Sequence, residues 1–139
     1  MTIDQARQQI KNCTEHMNAR YGRVVFDEWA IVSLASRRAK ILTYNGPRKE
    51  SFQENFLSDA GSLQNGLLKP ENEPGDFEFA RDGVGTGFES FMVLGRDVYL
   101  ICNNTVQSMD NISRDPLWLS AQVPFVDLSD KVRSSPVAI

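Results

Sequence analysis

The chain has 139 residues, 41% hydrophobic and 24% charged, with a formal net charge of −3. That length suits one domain with a core that needs no metal or disulfide staples, and the composition excludes a disordered chain. The net negative charge argues against nucleic acid as a partner, since phosphate binding requires a clustered basic face. Charge is nevertheless uneven: residues 1–50 hold nine basic and five acidic side chains, and residues 51–139 hold six and thirteen.

The first element reads as a helix. Ile3, Ala6, Ile10, Cys13 and Met17 recur at spacings of three and four, with Thr2 and Gln5 in capping-box positions and Gly22 at the exit. The segments 24–34 and 39–45 are β-branched and aromatic, which predicts two strands joined as an antiparallel hairpin. Asn45-Gly46-Pro47 ends the second strand. A second helix is expected over 48–68, where Phe52, Phe56, Ala60, Leu63 and Leu67 keep helical spacing.

After a loop at 69–75, three strands are expected at 76–81, 88–94 and 98–103, the last two forming a hairpin through Gly95-Arg96-Asp97. The almost wholly apolar run Val98–Cys102 predicts a central strand covered on both faces. A short helix to about residue 113 and a closing helix over 115–133 complete the series. In the closing helix Leu117, Ala121, Phe125, Leu128 and Val132 form the apolar stripe, and Pro124 should kink or interrupt it. Residues 134–139 read as a flexible tail behind a single domain spanning 1–133. The expected architecture is α+β: a five-stranded antiparallel sheet with helices on its faces, in the order α-β-β-α-β-β-β-α.

Nothing in this pattern assembles an active site. Gly83-Val84-Gly85-Thr86-Gly87 lies between two strands, whereas a phosphate loop must feed a helix N-terminus, so it reads as a turn. His16 has no partner ligands at metal spacing and reads as a surface residue. Asp27 and Glu28 interrupt an apolar strand; neighbouring strand residues point to opposite faces, so the two should not converge on one substrate. At least one is expected to be solvated or paired with a base such as Arg23. Trp29 is expected in the core, and Trp118 to pack beneath the preceding helix. Cys13 and Cys102 read as small buried hydrophobes. No cofactor, metal or membrane span is expected, and the absence of a leader-like apolar stretch reads as a cytoplasmic chain.

The element order resembles the roadblock/dynein light chain family and its longin and profilin-like relatives, over roughly residues 2–133. That resemblance implies a non-enzymatic protein-interaction or regulatory module, a homodimer or paired subunit acting on a small GTPase or within a multi-protein complex. It also implies a seam along the middle helix and the following strand, with Phe52, Phe56 and Leu63 on the helix and Phe77 and Phe79 beside it. Arg37 and Arg38 at the first hairpin tip, and Glu71 and Glu73 in the acidic run, are the expected electrostatic contacts. The alternative is a small-molecule sensor of PAS-like form, with a cavity lined by Trp29, Phe91 and Tyr99.

Overall fold

The computed structural model describes residues 1–22, 24–35, 38–67, 72–79, 90–104 and 116–139, the side chains of 59–67, 79 and 104 excepted. Helix α1 (Ile3–Tyr21) begins as its sequence requires. The Thr2 hydroxyl accepts from the Gln5 backbone N–H at 3.1 Å, and the Gln5 side chain accepts from the Thr2 N–H at 2.9 Å. Each bond satisfies a donor that the first turn leaves orphaned. Ala6, Ile10, Cys13 and Met17 then form the buried stripe.

Five strands follow: β1 (Phe26–Ser33), β2 (Lys40–Asn45), β3 (Phe77–Phe79), β4 (Ser90–Gly95) and β5 (Val98–Asn104), with helix α2 (Lys49–Leu67) between β2 and β3. They form one sheet in the order β2-β1-β5-β4-β3, every neighbouring pair antiparallel. β1 and β5 are central, and Val98 to Cys102 are buried throughout, as their unbroken apolar run predicts. The expected short helix before residue 113 and the glycine-rich turn at 83–87 lie outside the described residues.

Strand alternation sends side chains to two separate cores. On one face Trp29, Ile31, Met92, Leu94, Leu100 and Cys102 pack with α1 and with the closing helices α3 (Pro116–Ala121) and α4 (Val123–Ser134). On the other, Ala30, Val32, Val93, Tyr99 and Ile101 pack against Phe52 and Phe56 of α2. A β-bulge interrupts the β1–β5 register between Phe26 and Glu28.

Two expectations at the C-terminus need correction. Pro124 does interrupt the closing helix, but by starting α4 in its first turn after a break at Gln122. The break lets α3 take its own rotation. Trp118 therefore turns inward, fully buried and edge-on to Tyr21 at 5.7 Å, while Leu117 is 56% exposed instead of lying on the buried stripe. The final residues do not behave as a loose tail either. Val137 is buried and donates its N–H to Leu94 O at 2.8 Å, and Ala138 donates to Met1 O at 3.0 Å. Gly95 makes this docking possible, because a Cβ there would run into the Val137 carbonyl.

Candidate functional site

The densest polar cluster sits where β1 begins and where β2 and β5 end. Glu28 shares the α2 face of β1 with Ala30, yet it is only 4% exposed. Its two oxygens are both engaged. Oε2 accepts from the Tyr44 hydroxyl at 2.6 Å, and Oε1 accepts from Asn103 Nδ2 at 2.5 Å. Arg48, just before α2, brings Nη2 to 2.7 Å from Asp27 Oδ2 and 3.6 Å from Glu28 Oε1. Its backbone N–H donates to Tyr44 Oη at 2.9 Å. Gly46 closes the cluster; its φ of +155° favours glycine, and a Cβ would also press on Glu28 and the Tyr44 hydroxyl.

Asp27 and Glu28 thus converge after all, on one guanidinium. The bulge explains this, because it removes the strict alternation that would send them to opposite faces. The cation involved is Arg48; Arg23 lies outside the described residues. Burial and the hydrogen bond to Glu28 push the Tyr44 phenol up to about 12. The Arg48 guanidinium is likewise held above its ordinary value, chiefly by its bond to Asp27. These groups tie β1, β2, β5 and the start of α2 together. Among the described residues they place no nucleophile beside a base, so the cluster reads as a structural clasp.

The other sequence-derived candidates scatter. Phe52 and Phe56 are 1% and 0% exposed, packed into this chain's own core, with the Phe52 ring 5.1 Å from Tyr44. They offer no surface to a partner, because the sheet itself covers them. Phe77 packs edge-on against Phe125 of α4 at 5.1 Å. Arg37, Glu71 and the side chains of Leu63 and Phe79 lie outside the described residues. Arg38 and Glu73 are exposed, but one precedes β2 and the other β3, at opposite edges of the sheet. With neighbouring strands ~4.8 Å apart, a single chain cannot join them in one contact.

The sensor cavity is not formed as expected. Trp29 belongs to the core on the α1 face, whereas Phe91 and Tyr99 belong to the α2 side, so the sheet divides them. His16 is exposed on α1, in a crevice shared with Arg20, Asp127 and Lys131. Among the described residues no group of three His, Cys, Asp or Glu side chains is placed to hold a metal ion, and no helix is long and apolar enough to cross a membrane. Cys13 and Cys102 are buried free thiols. Burial first, then the charge of Asp127, pushes Cys13 up to about 12, and burial raises Cys102 well above the usual range.

Sequence reasoning missed Tyr44, Arg48 and Asn103 as partners of Glu28. The one available signal was an acidic pair inside an apolar strand, a charge that must find partners if buried. Comparison with protein families, curated proteins and solved structures finds no match to this chain.

Proposed function

We propose that the chain is a non-enzymatic interaction module that pairs with itself and holds another protein, the role implied by a roadblock- or profilin-like layout; a small GTPase is one such partner. The observation that carries this reading is a set of large apolar side chains left in solvent on the closing helices. Leu119 on α3 and Val123 and Val126 on α4 are 54%, 41% and 42% exposed, the last two being three residues apart on one helix. Several side chains of this size on two consecutive helices are unusual on a surface that meets only water, and they mark an interface. The described part of α2 shows only Leu57 as a large exposed hydrophobe. The seam therefore belongs to α3–α4 and not to the phenylalanines of α2.

The closed state of the Glu28 clasp supports the non-enzymatic half of the reading, since its charged groups are already paired. Sedimentation velocity over a concentration series tests the pairing. The wild-type chain should self-associate, and Val123→Glu/Val126→Glu should be monomeric with an unchanged fold. A wild-type chain that stays monomeric at tens of micromolar would sink the pairing.

A further inference from the structure

We infer that the groove between β2 and α2 takes an extended acidic segment of a partner protein. β2 is the outermost strand on its side of the sheet, and its residues from Ile41 to Tyr44 are only half-buried. Beside it runs a groove of about 510 Å³, lined by Ile41 of β2 and by Gln53 and Leu57 of α2. Two charged side chains line it, Lys40 and Lys49, and both are cations. Neither has an ion-pair partner among the described residues, and Arg38, two residues before Lys40, has none either.

The position of Lys49 is an independent signal. It is the first residue of α2, where the helix dipole repels a cation and welcomes the neighbouring Glu50. A lysine there, facing a groove and without an ion-pair partner among the described residues, runs against the dipole. An incoming carboxylate offsets this, since it meets the lysine and the dipole together. Leu57, 51% exposed on the groove wall, gives an apolar side chain of the same segment somewhere to rest.

The strand edge sets the form of the segment. Thr43 pairs with Ile31 and Ile41 with Val32, which leaves Leu42 as an extra residue in β2. A bulge and a terminal lysine both discourage long edge-to-edge pairing of sheets. Recognition therefore comes from the groove, by carboxylates on Lys40 and Lys49 and by apolar contact with Ile41 and Leu57, not from a continuous ladder.

The test uses the full chain and an array of peptides the length of β2, 6 residues. Half carry Glu or Asp alternating with Val or Leu, and half carry Lys or Arg instead. Saturable binding is expected to the acidic half alone, weakened about tenfold in Lys40→Glu/Lys49→Glu, a variant that should melt no lower than the wild type. Lys11→Glu, exposed on α1, should keep the wild-type affinity. No saturable binding, equal binding to both halves, or an equal loss in Lys11→Glu would each overturn the inference. So would loss of self-association in the double variant, which would assign the groove to a second copy. The inference rests on the interaction-module reading, and the two fail separately. A self-associating chain that ignores acidic peptides sinks the inference alone; a monomer that binds them sinks only the pairing.

Discussion

The two faces of the sheet divide the work of the molecule. One is sealed by α1, α3, α4 and the docked C-terminal residues, and its core runs from Ala6 to Val137 with no charged member. The other carries a smaller described core beneath α2, and at its end sit a buried carboxylate clasp and a groove lined by two lysines. Stability is concentrated on the first face and charge on the second. The described residues thus show a chemically distinct side.

The sharpest way to break that comparison is to open the sealed face. Trp118→Ala removes a fully buried ring from between α1 and α3 and should cost about 3–5 kcal/mol in urea or thermal unfolding. A cost near zero would mean that α3 is not part of the core.

Next in size is the clasp. Glu28→Ala strips the acceptor from Tyr44 and Asn103 and should destabilise by about 2–3 kcal/mol, whereas Tyr44→Phe should cost about 1 kcal/mol. The phenol also gives the clasp a pH signature. Its folded value of about 12 lies above the ordinary value of 10.0, so the fold favours the neutral form. That contribution is complete below about pH 10 and is lost as pH rises through 12. Tyrosinate absorbance should show Tyr44 and the buried Tyr99 titrating late in the wild type, with one late group fewer in Tyr44→Phe.

Smaller effects sharpen the contrast. The two thiols lie in the sealed core, with their ionisation suppressed. A thiol-specific disulfide reagent should therefore react only as fast as the chain opens, and denaturant should release both at once. Fast labelling of either in native buffer would show that the first face is not sealed. Smallest of all, Lys40→Glu on the groove should change stability by less than about 0.5 kcal/mol, because the side chain is exposed.

Much of the fold was readable because local chemistry and global packing agree. The α1 stripe, the β4–β5 turn and the apolar β5 run each allow one reading. Where the sequence misled, a backbone irregularity intervened. The bulge after Phe26 brought Asp27 and Glu28 to one arginine, and the break at Gln122 exchanged Leu117 for Trp118 in the core. The docked tail rests on two backbone hydrogen bonds and the missing Cβ of Gly95, which leave no periodic trace. The site was less legible than the fold. Spacing showed that Phe52 and Phe56 share a helix face, but not that the sheet lies against it. The lysines of the groove come from two elements that only the three-dimensional arrangement makes neighbours.

The proposed pairing uses the exposed apolar side chains of α3 and α4. Sedimentation velocity of the wild type beside Val123→Glu/Val126→Glu tests it most directly. The account predicts a mass rising from 15.6 kDa towards twice that value in the wild type and fixed at 15.6 kDa in the variant. A wild type that remains at 15.6 kDa at tens of micromolar, or a variant that pairs as well as the wild type, would contradict it.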